Sequence, residues 1–99
     1  MSNETEILNA PDDKVTIGKG QFEMLRHLNR MGEIEYQQLI KHLTKVEAYA
    51  SKYLAKDGTE LYIRTKVIER KGEKLKLTIG GKKLLDVIEL LLEAQGKHA

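Results

Sequence analysis

Eight cationic side chains are concentrated between Arg64 and Lys83, and their chemistry suits them to binding phosphate. Only Glu69 and Glu73 oppose them, so this stretch carries a net charge of +6 in a chain whose formal net charge is +2. A concentrated basic surface on a nearly neutral protein can steer a polyanion such as nucleic acid. The alternative is a lysine face that is merely solvated. The basic residues are Arg64, Lys66, Arg70, Lys71, Lys74, Lys76, Lys82 and Lys83.

Other kinds of chemistry find little support in the sequence. The chain has no cysteine, which excludes disulfides and thiolate metal ligands. His27, His42 and His98 lie far apart along the chain, so we expect no metal site. The Gly-Lys-Gly stretch at residues 18–20 lacks the spacing of a phosphate-binding loop. We therefore expect neither an enzyme nor a cofactor nor a small-molecule ligand.

Length and composition indicate one folded domain. The chain has 99 residues, of which 40% are hydrophobic and 32% are charged, a composition typical of globular proteins. It contains no apolar run long enough to cross a membrane, and its N-terminus has no signal-peptide pattern. Together with the lack of cysteine, this favours the reducing cytoplasm. We expect a flexible acidic arm over residues 1–18.

Hydrophobic spacing predicts three helices after that arm. The first covers residues 20–31, with apolar side chains on one face, and ends at Gly32. A short extended stretch around Ile34 follows, and then a second helix ends near Thr44. The third helix is expected to begin near Val46 and to stop at the Asp57-Gly58 pair. A short helix, a tight turn and another helix form a helix-turn-helix.

Alternating apolar and polar residues predict a β-hairpin after Gly58. Leu61, Ile63 and Val67 would lie in the first strand, and residues 74–79 would form the second. Gly72 supplies a turn position that requires a positive φ. An alternative is that the preceding helix continues through residues 59–66. Thr78 is expected to cap a last helix that runs to residue 94.

The last helix is apolar around most of its circumference. Seven of the nine residues from Leu84 to Leu92 are apolar, whereas a helix that faces one core needs only a stripe. We therefore expect this helix to hold two subunits together. The alternative is that it packs only on its own domain. The expected dimer interface consists of Leu84, Leu85, Val87, Ile88, Leu91 and Leu92.

The order of these elements resembles a winged-helix DNA-binding domain. Its most specific part is the stretch LKLTIGGKKLL, in which a strand leads into Leu77-Thr78-x-x-Gly81 and a lysine-rich helix start. The stretch is similar to small regulators of the MarR and PadR type and to small archaeal winged-helix proteins. The resemblance implies a mainly helical α+β fold, with a winged helix-turn-helix domain over residues 19–80. It also implies a dimerisation helix over residues 81–95 and a tail over residues 96–99.

The resemblance implies a homodimeric transcriptional regulator that binds double-stranded DNA. The third helix would enter the major groove, and the basic hairpin tip would contact phosphate or the minor groove. On that helix we expect Val46, Ala50 and Leu54 to face the core and Ala48 to face outward. Tyr53 is expected in the core, and a core position is the alternative for Tyr49. The expected DNA contacts are Lys45, Tyr49, Ser51, Lys52, Lys56, Arg70, Lys71 and Lys74.

Three other functions remain open at this stage. An architectural protein would coat DNA with little sequence preference. A protein-interaction module would use the apolar last helix to bind a foreign helix. RNA binding is less favoured, because aromatic residues that could stack on bases are scarce, with one Phe and four Tyr.

Overall fold

The structure, a computed structural model, describes residues 4–9 and 14–94, with side chains described from Gly18 onward. The described residues form a mainly helical α+β fold with two small antiparallel sheets. The predicted 96–99 tail lies outside the described residues. The elements in chain order are β1 (Glu4–Asn9), β2 (Lys14–Gly18), α1 (Lys19–Met31), β3 (Glu33–Glu35), α2 (Tyr36–Lys45), α3 (Lys52–Arg64), β4 (Ile68–Lys71), β5 (Lys74–Leu77) and α4 (Ile79–Ala94).

The first two helices lie where the apolar spacing predicts them. Helix α1 ends at Gly32, whose φ of 81° is readily adopted only by glycine, and the Gly32 N–H donates to the Leu28 carbonyl at 2.8 Å. Helix α2 runs to Lys45, so Thr44 does not break it. Instead, the Thr44 hydroxyl donates to the Ile40 carbonyl at 2.6 Å and stays within the helix.

The third helix begins and ends later than the sequence predicts. It starts at Lys52, because the Ser51 hydroxyl oxygen accepts a hydrogen bond from the Leu54 N–H at 3.1 Å and caps the first turn. Residues 46–51 form a connection, in which Glu47 has a φ of 57° that a continuous helix would not allow. The prediction of a helix from Val46 to the Asp57-Gly58 pair was therefore wrong. The alternative, in which helix continues beyond residue 59, is the arrangement observed.

Helix α3 ends in a Schellman motif without a glycine. Lys66 adopts a left-handed φ of 66°, the Val67 N–H donates to the Tyr62 carbonyl, and the Lys66 N–H donates to the Ile63 carbonyl. The sequence therefore has no glycine to mark this helix end. Because α3 continues to Arg64, Leu61 and Ile63 lie in a helix, and their predicted strand was wrong.

The hairpin is shorter than predicted and is part of a three-stranded sheet. Strands β4 and β5 pair around a turn in which Gly72 has a φ of 61°, as expected. Strand β3 pairs with the other side of β5, so the strand order is β3-β5-β4. Leu75 and Leu77 of β5 point into the core. Ile79 was expected in the second strand but begins α4.

The Leu77-Thr78-x-x-Gly81 motif has a structural explanation. The Thr78 hydroxyl oxygen accepts a hydrogen bond from the Gly81 N–H at 3.0 Å and caps α4, as predicted. The same hydroxyl group donates to the Lys66 carbonyl oxygen at 2.6 Å. Gly81 is buried, and a Cβ at this position would overlap the Val67 carbonyl. The motif therefore joins the hairpin to the last helix and need not contact a ligand.

The acidic arm predicted over residues 1–18 contains two strands. Strands β1 and β2 pair antiparallel, with an irregularity between Glu6 and Leu8. The β1 backbone lies near α4, and that of β2 lies near α1. A short ordered piece was expected only at residues 15–17, which lie within β2, and strand β1 was not predicted. Residues 1–3 and 10–13 lie outside the described residues.

One hydrophobic core joins all four helices to the three-stranded sheet. Leucines from α1, α2 and β5 have no exposed surface, and each such burial contributes about 2 kcal/mol. Leu85 and Ile88 attach α4 to the same core. Among the described residues, no helix combines the length and the apolarity that a membrane span requires.

Candidate nucleic-acid interface

A lysine-lined groove of about 510 Å³ lies between α2 and the start of α3. Lys41 and Lys45 are four residues apart and share one face of α2, and Lys52 opens α3. The N-terminal residue of α3 lines the groove, and the N-terminus of a helix carries a partial positive charge. The groove can therefore attract a phosphate. It is lined by Gln37, Ile40, Lys41, Thr44, Lys45 and Lys52.

The structure brings together two predicted contact residues and one that the sequence analysis missed. Lys45 and Lys52 lie in different elements, yet they line the same groove. Lys41 was not predicted, because the expected contacts came from the third helix and the hairpin tip, and Lys41 lies in the second helix. Its spacing of four residues from Lys45 was the signal that could have found it. Ser51 lies beside Lys52, with its oxygen occupied as the α3 cap.

Two residues expected to face DNA instead belong to the core. Ala48 is 1% exposed, and Tyr49 is half-buried against the same cluster. Burial is the main cause that raises the pKa of Tyr49 to about 12, and Tyr62 and Asp57 add to the effect. The Tyr49 hydroxyl is enclosed, so this residue is placed as a core aromatic, and its expected orientation toward DNA was wrong.

Other side chains occupy the outer surface of this region. Tyr53, expected in the core, is 76% exposed, and Val46 and Leu54 are also exposed. Val46 lies in the connection before α3, and the buried residues of α3 are Ala55 and Thr59, so its inward face differs from the predicted one. Lys56 lies one turn after Lys52 and is exposed. Lys52, Tyr53 and Lys56 thus form the cationic and aromatic surface of the first turns of α3.

Arg70 is held by contacts within the protein. Its Nε donates to the Gly72 carbonyl at 2.8 Å, and its guanidinium lies 4.8 Å from the centre of the Tyr36 ring. It also lies 3.8 Å from Glu60 and 3.4 Å from Glu73. Arg70 therefore has a packing role of its own, and its expected contact with DNA stays a prediction.

Tyr36 is the centre of this cluster. Its hydroxyl donates to the Glu60 carboxylate at 2.8 Å. Burial of the ring and the hydrogen bond to Glu60 raise the pKa of Tyr36 to about 12, whereas Arg70 opposes the shift. The cluster connects α2, α3 and β4, and so fixes the hairpin against these two helices.

Glutamates face most of the lysines on the outer surface of the sheet. Lys76 of β5 has Glu33 opposite it on β3 and Glu69 opposite it on β4. Lys74 has Glu35 on one side and Lys71 on the other. Opposite charges at directly paired positions attract each other. Among the paired positions of the described three-stranded sheet, only Lys71 and Lys74 place two cations side by side, so the strands are less cationic in space than in sequence.

Comparisons with protein families, curated proteins and solved structures gave no significant match. The function must therefore be inferred from the geometry of the protein itself.

Helix α4 has one buried side and one exposed side. Leu85 is 2% exposed and Ile88 is buried too, so both pack within their own chain and were wrongly placed in an interface. Leu84, Leu91 and Leu92 are partly covered by the core. Val87 is 51% exposed and Leu90, which was not predicted, is 64% exposed. The surface available to a partner is therefore the Val87–Leu90 side.

A group of potential metal ligands lies where α1 meets α2. The side chains of Glu23, His27 and His42 place one ligand atom each within 4.8 Å of the others. The Nε2–H of His42 donates to the Glu23 carboxylate at 2.8 Å, and the imidazole rings of His27 and His42 stack 3.6 Å apart. The sequence analysis expected no metal site. The Glu-x-x-x-His spacing of residues 23–27 was the signal it overlooked.

Proposed function

We propose that this protein is a winged-helix regulator that binds double-stranded DNA as a homodimer in the cytoplasm. The element order supports the proposal, because α2 and α3 form a helix pair that is followed by a hairpin and a terminal helix. The observation that carries it is the lysine groove between α2 and α3. In a helix-turn-helix, this pair of helices approaches the major groove and its flanking phosphates.

Phosphate contacts supply most of the affinity in this proposal. Lys41, Lys45 and Lys52 neutralise backbone charge and release counterions, which positions the protein without reading sequence. The exposed first turns of α3 then meet base edges, with Lys56 near guanine acceptors and Tyr53 near thymine methyl groups. Lys71 and Lys74 at the hairpin turn contact a neighbouring phosphate.

Removal of the groove lysines tests the proposal. A K41A/K45A/K52A variant should bind duplex DNA more weakly, and its salt dependence should be shallower by ~2.7 in slope if each lysine neutralises one phosphate. Fluorescence anisotropy with a 25-base-pair duplex, measured at several KCl concentrations, gives both quantities. A K76A/K82A/K83A variant loses the same charge from the sheet and α4 and is the matched control. Equal losses in the two variants would mean that only net charge matters, and no loss in the first would reject the groove.

An architectural DNA-binding protein is a second candidate. The exposed side of α3 offers Lys52, Tyr53 and Lys56 but no Asn or Gln, the side chains best suited to pair with adenine. Such a surface favours phosphate and shape over sequence. Competition between random and genomic duplexes separates the two candidates, because an architectural protein is displaced equally by both.

A further inference from the structure

We propose that Glu23, His27 and His42 form a binding site for a divalent transition-metal ion of the zinc type. The site lies where α1 meets α2, separate from the lysine groove, and does not depend on the proposed DNA binding. Two imidazoles and a carboxylate are a ligand set that zinc accepts, with a fourth position left to water.

The helices place the three ligands within reach of one ion. Glu23 and His27 are four residues apart and share a face of α1, and His42 approaches from α2. Ligands about 2.0–2.1 Å from a tetrahedral zinc ion lie ~3.4 Å from one another. The Glu23–His42 distance of 2.8 Å needs slight widening, and the three ligand atoms already lie within 4.8 Å of one another. Side-chain rotation can supply this change without moving the helices.

Binding requires the two imidazole rings to turn. The rings are nearly parallel, with 9° between their planes, and the lone pair of a ring nitrogen lies in its plane. Parallel rings therefore cannot both point at one ion. Binding of an ion would replace the stacking contact with coordinate bonds from both rings to the metal, which would link α1 to α2. The site is thus expected to close around the ion rather than to receive it preformed.

The site is accessible from solvent. The Glu23 and His42 side chains are 19% and 21% exposed, which gives an ion a route to the ligand atoms.

Arg30 competes with the ion for His27. Its Nη2 donates to His27 Nδ1 at 3.0 Å, so the neutral ring carries its proton on Nε2. An ion at Nδ1 must displace the guanidinium. An ion at Nε2 must displace the Nε2 proton. If that proton moves to Nδ1, Nδ1 can no longer accept the hydrogen bond from Arg30. Arg26 similarly lies 3.5 Å from Glu23. Both routes predict that Arg30 weakens metal binding.

Calorimetric titration of the full, EDTA-treated and dialysed chain with ZnSO4 tests the site, with Co²⁺ absorption as a second measurement. We expect one ion per chain and a visible Co²⁺ spectrum of tetrahedral intensity. H42Q and E23Q should each weaken binding by more than ~10-fold, since even partners that only orient a ligand contribute that much. R30Q should tighten binding. H98Q, which alters a histidine outside the described residues, should leave it unchanged.

Three outcomes would overturn the proposal. They are the absence of zinc binding to the wild-type chain, unchanged affinity in both H42Q and E23Q, and loss of binding in H98Q. Circular dichroism of each variant tests whether the variant is folded. Glu23 is partly exposed, so E23Q keeps the test valid if a histidine variant does not fold. If any of the three overturning outcomes is observed, the Glu23–His42 hydrogen bond is an ordinary polar contact between two helices.

Discussion

At the scale of single residues, Tyr49 shows how a side chain suited to DNA contact can have a packing role. Its ring lies against Gly20 of α1 and Gly58 of α3, where a Cβ would overlap it. Among the described residues, its hydroxyl is buried without a hydrogen-bond partner. A buried hydroxyl that has lost its water without gaining a partner destabilises the folded state.

We predict that Tyr49→Phe raises the free energy of unfolding by about 1 kcal/mol, because it removes that unsatisfied hydroxyl. Urea denaturation followed by circular dichroism measures the change. Tyr53→Phe removes a hydroxyl from an exposed ring and should have no measurable effect. A loss of stability in Tyr49→Phe would mean that the hydroxyl has a partner, such as a bound water molecule.

Gly58 is the second residue whose role differs from its usual one. Alanine normally favours a helix interior over glycine by about 1 kcal/mol. We nevertheless predict that Gly58→Ala destabilises the protein, because the added methyl group meets the Tyr49 hydroxyl first and then the ring. The cost should be smaller in a Tyr49→Phe background, and a double-mutant cycle by urea denaturation measures this coupling. Additive effects would show that the two residues do not share the space.

At the scale of elements, the contact between α1 and α2 makes stability dependent on pH. The pKa of His27 lies below the unfolded value of 6.5, mainly because the ring is buried, while His42 and Arg30 add to the shift and Glu23 opposes it. Below pH 6.5 the unfolded chain therefore takes up a proton that the folded chain resists. Stability is complete above pH 6.5 and falls as the pH decreases from there toward the folded pKa.

We predict that the wild-type chain loses more stability than His27→Gln when the pH falls from 7.5 to 5.5. Urea denaturation in the presence of EDTA at several pH values measures this difference and excludes any effect of metal. Groups that do not interact with His27 titrate alike in both proteins, so their contributions cancel in the comparison. Parallel stability curves for the two proteins would show that His27 does not set the pH dependence.

The elements that depend on nearby residues could be predicted, and those that depend on distant contacts could not. Gly32, Gly72 and Thr78 mark a helix end, a turn and a cap by their own chemistry, and each was predicted correctly. The α3 boundaries were not predicted correctly, because Gly58 resembles a helix stop signal in the sequence. In the structure, Gly58 lies within the helix and leaves space for the Tyr49 ring. The end of α3 was also concealed, because Lys66 takes the left-handed position that glycine usually occupies.

The same distinction applies to the candidate sites. Counting charges along residues 64–83 predicted a strongly basic hairpin. The pairing of β3 with β5 brings Glu33 and Glu35 beside that hairpin, and this pairing joins segments about forty residues apart. The α2–α3 groove depends on the position of α3, so its lysines could be named only in part. The approach of His42 to Glu23 likewise depends on how two helices pack.

At the scale of the whole molecule, the exposed side of α4 bears on the proposal that two chains bind DNA together. Val87 and Leu90 lie three residues apart on one face, and a pair of chains that meet there would hide both side chains from water. A two-fold dimer would place its recognition helices on half-sites about 34–36 Å apart. In the proposed function, dimerisation would link the apolar helix to the affinity for DNA.

We predict that a V87E/L90E variant is a folded monomer, because charges on this face oppose association but do not enter the core. Sedimentation equilibrium should show a dimer for the wild-type chain and half that mass for the variant, with unchanged circular dichroism. Leu85→Ala is the contrasting variant, since Leu85 is buried within its own chain and should lose about 3 kcal/mol of stability. A monomeric wild-type chain would exclude the dimer. A variant that remains dimeric would move the interface to another surface, and a monomeric variant with full affinity for a two-half-site duplex would separate dimerisation from DNA binding.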